Sequence, residues 1–453
     1  MALEAEAVSA IAIELNDAEI RVARRDQVVA VEPGCAVFEG DALLLGGEAD
    51  RVARLRPELV NDRFWADLSR DLLPRTHARA SSPADLAFAQ LASMWSRFGA
   101  GADQVVFVVP GSFKREQLRL LLGMAEACAI PVGGLVASAV VCSQRPQPGR
   151  QLAHLDMGLH SAVLTALDQE GGCAVQAVDS TASAGLSAVR ERCVAGIAAA
   201  FLSQTRFDPL HDADAEQALF DNLAACFERL RLRDSTLLEI EIRGVRYEAE
   251  LKRSALTLAA RPMYASLLEL LRRSRPPATP LALQVSHRLA SLPGLLDALG
   301  SEPEVEVILV EAEAACLGAL ARLEDICGRG SPLALVCRLS WESLPSEDTG
   351  NRSRERPTHL VHEGVAYALG SDPFSIGRAG TGLSVSSLGV EEHHCTLLIQ
   401  DERVILQATG DAVTAVNGEP IQREREVQAG DCIRIGSPGV DLTLVQVPED
   451  RGT

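Results

Sequence analysis

The sequence predicts two domains, an α/β domain followed by an all-β sandwich, and three observations carry that prediction. Strand and helix patterns alternate through residues 8–326, as in α/β proteins. Residues 341–358 have the serine, proline and charge content of a linker. Residues 359–447 show short strands and frequent turns without a helical period. We therefore predict an α/β domain over residues 1–328, a linker over 329–357 and a β-sandwich over 358–453.

The elements of the first domain follow from local patterns. Strands at residues 8–15 and 19–24 form a hairpin around Asn16-Asp17, and the apolar run 104–109 predicts a buried strand. Ser82 as cap, Pro83, Asp85 and Gly99 mark the two ends of a helix. Further strands are predicted at residues 152–156, 161–167 and 174–179, and further helices at 113–129, 186–204, 213–232 and 255–273.

Composition excludes several classes of function. The chain has 453 residues and a formal net charge of -19, so we expect no nucleic-acid partner. The longest apolar stretch, residues 129–142, is too short to span a bilayer, and the N-terminus has acids where a signal peptide needs positive charge. Its 11 cysteines include no C-x-x-C pair, which indicates reduced thiols without a zinc site. We expect a cytoplasmic protein without membrane insertion.

An internal repeat is the most informative feature of the first domain. Residues 11–22 and 153–164 align without a gap. In each, an apolar strand ends in an acid (Glu14, Asp156), a turn residue follows two positions later (Asn16, Gly158), and an apolar strand returns. A duplicated hairpin predicts two related halves that face each other across a cleft.

These residues resemble the nucleotide-binding domain of the seventy-kilodalton heat-shock chaperones, in the actin-like ATPase superfamily with its duplicated ribonuclease-H-like fold. The hairpin at residues 11–22 resembles the family's first phosphate loop, D-L-G-T-T, and Asp156-Met-Gly158 resembles the second, D-L-G-G-G-T. Further similarities are Val109-Pro110-Gly111-Ser112-Phe113 (V-P-x-x-F), Ala225 to Arg231 (A-C-E-x-x-K), Ser286 to Pro293 (G-G-S-x-x-I-P) and Ala314 to Ala319 (A-x-x-x-G-A). The resemblance implies nucleotide-binding positions at Glu14, Asn16, Asp156, Gly158, Glu228 and Arg231.

Departures from the family pattern predict a pseudo-ATPase. Asn16 replaces a loop glycine, and His287 and Arg288 replace the paired glycines of the adenosine motif. The family's catalytic lysine aligns near Asp67 and its catalytic glutamate near Ala137, with no matching residue at either place. We predict no cofactor and no catalytic residue.

Alternatives stay open at these positions. Glu14 and Asp156 could hold Mg²⁺ of bound ATP through waters, or they could be solvated residues at strand ends. Glu228 and Arg231 could contact a ribose, or they could form an i,i+3 surface pair.

The second domain resembles a forkhead-associated (FHA) domain, the module that reads phosphothreonine. The matches are Ile376-Gly377-Arg378 (I-G-R), Val390 to Cys395 (V-S-R-x-H-A/C), Val416-Asn417-Gly418 (V-N-G) and Ala429 to Gly436 (L-x-x-G-D-x-I-x-I-G). The resemblance implies a peptide-binding surface formed by Arg378, Glu391, Glu392, His394 and Asn417, with His394 supporting the loops.

Two acids alter that surface. Glu391 and Glu392 replace the family's phosphate-contacting serine and the basic residue after it. Carboxylates repel a phosphate dianion, which makes phosphothreonine an unfavourable ligand. Either Arg378 pairs with Glu391 in a structural role, or the surface binds an unphosphorylated or basic segment of a protein partner.

The sequence thus favours a non-catalytic scaffold or adaptor that binds protein partners through its FHA-like domain. The alternatives are a divergent ATP-binding, chaperone-like ATPase or nucleotide switch, and an actin-like protein that self-associates into filaments.

Overall fold

The computed structural model describes residues 9–275, 279–328, 333–341, 356–362, 365–370, 372–385, 389–400, 403–409, 413–416, 419–421, 423–436 and 440–447. The chain has mixed α/β structure and divides into two compact units. One unit comprises Met1–Val305 and Leu309–Glu342, and we call it the α/β unit. The other comprises Glu306–Ile308 and Ser343–Thr453, and we call it the β unit.

The first half of the α/β unit centres on a six-stranded sheet. Its elements are β1 (Ala10–Glu14), β2 (Ile20–Arg24), β3 (Gln27–Glu32), β4 (Ala36–Glu39), β5 (Ala42–Leu45), α1 (Gly47–Asp50), β6 (Val60–Asn61), α2 (Pro83–Phe98), β7 (Gln104–Val109), α3 (Arg115–Ala127), β8 (Val132–Ala137) and α4 (Ser138–Cys142). The predicted cap of α2 is confirmed, because Ser82 and Asp85 form a reciprocal capping box.

The second half repeats the arrangement and adds long helices. Its elements are β9 (Gln151–Met157), β10 (Ala162–Asp168), β11 (Cys173–Thr181), α5 (Leu186–Thr205), α6 (Ala213–Leu232), β12 (Ser235–Ile242), β13 (Val245–Lys252), α7 (Arg253–Arg273), β14 (Leu281–Ser286), α8 (His287–Ala290), α9 (Leu295–Gly300), β15 (Val305–Val310), α10 (Ala314–Ala321), α11 (Leu323–Ile326), β16 (Leu335–Val336) and β17 (Arg338–Leu339). The β12–β13 hairpin was not predicted from the sequence.

Both sheets have the same strand order, and both opening hairpins have the same register. The first sheet runs β3-β2-β1-β7-β8 and the second β11-β10-β9-β14-β15. Glu14 pairs with Arg21 in the first hairpin, and Asp156 pairs with Val163 in the second, so each acid faces the residue seven positions later. The internal repeat read from residues 11–22 and 153–164 is therefore present in the backbone.

The strands that carry the acids are buried, which explains their sequences. All five residues of β1, which carries Glu14, are buried, and so are six of the seven in β9, which carries Asp156. A strand buried on both faces has a nearly continuous apolar sequence instead of an alternating one. Ile11 and Ile13 of β1 pack in one core with Phe107 of β7 and Leu121 of α3.

A short segment of the predicted linker is part of the α/β unit. Strand β16 pairs in parallel with β8 of the first sheet, and β17 pairs antiparallel with β11 of the second. Residues 335–339 thus connect the edges of the two sheets. Two-residue strands leave no periodicity in a sequence, so their partners could not be anticipated.

The β unit contains two further sheets in its described residues. Its strands are β18 (His359–His362), β19 (Val365–Ala368), β20 (Phe374–Gly377), β21 (Leu383–Ser384), β22 (Cys395–Gln400), β23 (Arg403–Ala408), β24 (Thr414–Val416), β25 (Glu419–Pro420), β26 (Glu424–Val427), β27 (Cys432–Ile435) and β28 (Val440–Val445). The sheets run β19-β18-β28-β27-β24-β25 and β21-β20-β22-β23-β26. Leu360 and Leu442 of the first share one apolar core with Ile376 and Leu397 of the second.

Among the described residues, no helix combines the length and the apolar character that a membrane crossing requires.

Candidate functional site

The two predicted phosphate loops meet directly in the α/β unit. Asn16 lies between β1 and β2, and its Nδ2 donates to Asp156 Oδ2 at 3.0 Å and to the Met157 carbonyl at 3.2 Å. Its Oδ1 accepts from the Ala18 N–H at 2.9 Å. Asparagine at the family's glycine position therefore fastens the first loop to the end of β9.

A second contact joins the loops beside Asn16. Asp17 Oδ1 accepts from the Leu159 N–H at 2.8 Å. Gly158 makes this approach possible, because a Cβ at that position would overlap Asp17 Oδ1. Burial raises the pKa of Asp17 above its usual value. The hydrogen bond from the Leu159 N–H is the largest contribution in the opposite direction, and it offsets the effect of burial only in part.

Arg288 fills the space between the two predicted acids. It lies in α8, directly after β14, and its Nη2 is 2.7 Å from Glu14 Oε1. Its Nη1 is 3.1 Å from Asp156 Oδ1 and 3.4 Å from Oδ2. The side chain is 2% exposed. The planar guanidinium donates from its two Nη atoms to carboxylates of both halves. The compact ammonium of a lysine does not have this geometry.

The pKa values of Asp156 and Arg288 are shifted as expected for a buried ion pair. Burial alone would raise the pKa of Asp156, but the charge of Arg288, together with His154 and the hydrogen bonds to the carboxylate, lowers that pKa to about 2. Burial likewise disfavours the charged guanidinium, yet Glu14 and Asp156 raise the pKa of Arg288 above its usual value. Each partner thus holds the other in its ionised form.

A second layer of charges borders the guanidinium. Glu19 Oε2 is 3.6 Å from Arg288 Nε, 2.8 Å from His287 Nε2 and 2.7 Å from Arg21 Nη2. Burial opposes ionisation of Glu19, but His287 and Arg288 lower its pKa well below its usual value. The two residues that replace the family's paired glycines, His287 and Arg288, therefore both bind acids of the first hairpin.

Arg288 occupies the position between the two acids where Mg²⁺ would have to bind. The carboxylates that could hold Mg²⁺, Glu14 and Asp156, are already paired with Arg288. The cavity beside Arg288 measures about 10 Å³, close to the space of one water. Because both acids are buried, the alternative that they are solvated strand-end residues is wrong.

A second set of contacts joins the halves farther along the chain. Arg54 Nη1 is 2.6 Å from Glu191 Oε1 on α5, and its guanidinium lies 3.5 Å from the ring centre of Phe220 on α6. Gln217, also on α6, accepts from the Arg54 N–H and donates to the Asp50 carbonyl. These contacts hold the helices of the second half against the segment that follows α1.

The predicted ribose contacts form a surface pair instead of joining the cluster. Arg231 Nε lies 3.1 Å from Glu228 Oε2 on α6, and the two side chains are 42% and 56% exposed. Neither has a recorded hydrogen bond or ion pair to Glu14, Asp156 or Arg288 in the described chain. The geometry is that of the i,i+3 alternative.

A larger cleft also borders Asn16 and Asp156. Its volume is about 510 Å³, and its walls come from the first loop, residues 65–71, the β7–α3 turn and the β9–β10 hairpin. Asp67 lies on this wall, in the region where the family has its catalytic lysine, and it pairs with Arg63 at 2.9 Å. Ser138, directly after Ala137, also lines it. The V-P-x-x-F similarity at residues 109–113 was the sequence signal for this wall.

No known protein-family model matches the chain, and no curated protein was found to match it.

In the β unit, backbone bonds bring the predicted peptide-binding residues together. The Arg378 N–H donates to the Glu391 carbonyl and the Ala379 N–H to the Glu392 carbonyl, both at 2.9 Å. A Cβ on Gly377 would overlap the Glu392 carbonyl oxygen, so this approach requires glycine. Arg378 is exposed, and no ion pair joins its side chain to Glu391 in the described residues, contrary to the structural alternative.

His394 supports the same loop from inside. It is 1% exposed, its Nδ1 accepts from the Glu391 N–H at 3.3 Å, and its Nε2 lies 3.1 Å from the Val413 carbonyl. A neutral imidazole protonated at Nε2 satisfies both bonds. The remaining predicted residue, Asn417, lies outside the described residues.

Because of the Arg288 network, we expect the unfolding free energy of the α/β unit to fall as the pH becomes acidic. The pKa of Asp156 is lowered from 3.8 to about 2, so its contribution of about 2 kcal/mol is present above pH 4 and is lost as pH falls towards 2. Glu19 adds in the same direction, whereas the raised pKa of Asp17 opposes it. We expect Asp156→Asn to show a shallower loss of unfolding free energy between pH 5 and 2.5 than the native chain in urea titrations. Equal slopes in both proteins would contradict this assignment.

Proposed function

We propose that this chain is a non-catalytic adaptor, with a pseudo-ATPase body of the actin-like, heat-shock type and an FHA-like unit that binds a protein partner. The observation that carries the proposal is the position of Arg288. Its guanidinium lies between Glu14 and Asp156, at the point where the family resemblance implies Mg²⁺ and phosphates. An intramolecular cation takes the role that a bound metal–nucleotide has in an active relative.

The duplicated architecture supports the actin-like part of the proposal. Two sheets with the same order, whose hairpins present an acid at the same register, are what a duplicated ribonuclease-H-like fold requires. In a nucleotide-dependent protein, ligand binding brings such halves together. Here Asn16, Asp17 and Arg288 join them through the protein's own side chains. The body is proposed to hold one arrangement without nucleotide.

The charge of the cluster supports the absence of a polyphosphate ligand. Three carboxylates, Glu14, Glu19 and Asp156, are matched by two guanidiniums, Arg21 and Arg288, and both guanidiniums are already paired. A polyphosphate would have to displace buried ion pairs, which costs several kcal/mol for each uncompensated charge. Among the described residues, both guanidiniums of this cluster are already paired, and the cavity beside Arg288 has space for about one water.

The β unit supplies the partner surface in this proposal. Arg378, Glu391 and Glu392 lie on adjacent loops held by backbone hydrogen bonds, and His394 fixes the loop that carries the acids. Two acids beside one arginine favour a segment with basic side chains over a phosphorylated one. The surface is therefore assigned to an unphosphorylated, basic segment of a protein.

Calorimetric titration of Mg-ATP and Mg-ADP into the full chain tests the proposal. A preformed site at a hundred times its dissociation constant would stabilise the protein by about 2.7 kcal/mol. We expect no binding heat and no shift in melting temperature up to millimolar nucleotide. The Glu228→Ala variant serves as a control for surface effects, because its side chain pairs only with Arg231 in the described chain.

Micromolar binding of either nucleotide would overturn the pseudo-ATPase assignment. Turnover that Asp156→Ala abolishes would then establish the alternative, a divergent ATPase or nucleotide switch with FHA-directed partner selection. Filaments in negative stain that depend on protein concentration would instead support the self-associating alternative.

A further inference from the structure

The cleft beside Asn16 and Asp156 has the dimensions of a ligand site. Its volume of about 510 Å³ falls within the range of roughly 300–1,000 Å³ typical of small-molecule pockets. Its floor includes apolar side chains such as Trp65 and Phe113, and its walls carry the hydroxyls of Ser112, Ser161 and Thr165. A mixed lining of this kind binds a ligand through a few directed polar contacts.

The charges of the lining are strongly one-sided. Five carboxylates line the cleft, namely those of Asp17, Asp67, Asp71, Glu116 and Asp156, against the single lysine Lys114. Asp156 is matched by Arg288 and Asp67 by Arg63. Within the described parts of the chain, no ion pair is recorded for the other three acids. The cleft therefore repels anions and attracts cations.

Asp17 is the acid with most to gain from a cation. One of its oxygens accepts from the Leu159 N–H, and no guanidinium or ammonium contacts the carboxylate among the described residues. Burial raises its pKa, because the Leu159 N–H and the charges of His160 and Arg288 offset the loss of solvation only in part. A cation in the cleft would supply the missing charge, because an opposite charge within about 4–6 Å favours the ionised carboxylate.

A buried histidine nitrogen without a partner, although Gln284 bonds the same ring, gives an independent indication of a ligand. His154 lines the cleft, is 3% exposed, and its Nδ1 has no hydrogen-bond partner in the described residues. Burial lowers its pKa, so the ring is neutral at neutral pH. In the tautomer protonated at Nε2, Nδ1 is an acceptor, and buried polar atoms in proteins are normally satisfied. A donor in the ligand would satisfy it.

We propose that this cleft binds an organic ammonium group, either that of a free polyamine or that of a lysine side chain on a partner protein. Carboxylate, hydroxyl and neutral imidazole are the acceptors that an ammonium donor needs. A metal ion fits less well, because the described residues contain no group of three or more potential metal-binding side chains. The proposal goes beyond the adaptor function and does not depend on nucleotide binding.

Titration calorimetry with spermidine tests the site on the full chain. We expect saturable binding to one site, at least tenfold weaker in Asp17→Asn, and weakened by salt because the attraction is electrostatic. Asparagine keeps the acceptor for the Leu159 N–H, so the loops remain joined. Asp26→Asn is the matched control, since it removes the same charge from an exposed turn outside the cleft. Glu116→Gln, on the exposed side of α3, is a second variant that leaves the buried contacts intact.

A second titration, with a trilysine peptide, distinguishes a free polyamine from a lysine side chain of a partner protein. Tighter binding of trilysine than of spermidine assigns the cleft to a protein side chain, and the reverse order assigns it to a free polyamine. Tripolyphosphate serves as the anionic comparison. The proposal is overturned if spermidine and trilysine bind Asp17→Asn as tightly as the native chain, if neither binds, or if tripolyphosphate binds in their place.

Discussion

Replacing Arg288 by alanine is expected to lower the unfolding free energy of the α/β unit by about 3–5 kcal/mol. The substitution leaves Glu14 and Asp156 buried without their shared counter-charge. Removing one partner of a buried ion pair costs more than the pair itself contributes, because the remaining charge stays desolvated. Urea unfolding followed by tryptophan fluorescence measures this loss. All three tryptophans, Trp65, Trp95 and Trp341, lie in the α/β unit.

Two further variants separate charge from geometry at this position. Arg288→Lys keeps the positive charge but loses the planar fork that contacts both acids, so we expect an intermediate loss of stability. Arg231→Ala removes an arginine from the exposed pair with Glu228, where a cost of about 0–1 kcal/mol is normal. If Arg288→Ala costs no more than Arg231→Ala, the guanidinium does not hold the halves together.

The sequence predicted the positions of the two acids but not what lies between them. Glu14 and Asp156 were identified because a gapless repeat places each at the end of an apolar strand, and the structure keeps that correspondence in the hairpin register. Arg288 is 132 residues from Asp156 and 274 from Glu14. The resemblance predicted only that Arg288 stands where the heat-shock family has a glycine, whereas the packing of β14 beside β9 directs its guanidinium towards both acids.

Short and exposed elements escaped prediction for a different reason. The hairpin β12–β13 alternates buried with exposed residues, but it lies between two long helical patterns. Strands β16 and β17 have two residues each and depend on distant partners, β8 and β11. Strands β16 and β17 are stabilised by pairing that the local sequence does not encode, whereas the alternating pattern of β12 and β13 is a strand signal that was not used.

Replacing Glu391 by serine and Glu392 by arginine in the β unit is expected to create phosphothreonine binding. In the doubly substituted chain Glu391→Ser/Glu392→Arg, we expect a phosphothreonine peptide to bind at least tenfold more tightly than it binds the native chain. At about 4 Å, each carboxylate–phosphate pair costs roughly 1–4 kcal/mol for effective dielectrics between ~80 and ~20. A tenfold change in affinity corresponds to about 1.4 kcal/mol. Fluorescence anisotropy with a labelled peptide measures the change.

The backbone that presents these side chains is unaffected by the exchange. The carbonyls of Glu391 and Glu392 accept from the N–H groups of Arg378 and Ala379, and His394 contacts the Glu391 N–H, so none of these bonds involves the replaced side chains. The same peptide without phosphate is the first control. Arg378→Ala in the substituted chain is the second, because it removes the guanidinium expected to pair with the phosphate. If the folded double variant does not bind the phosphopeptide, the two acids do not determine which ligand the surface binds. The native surface would then owe its specificity to loop shape and not to charge.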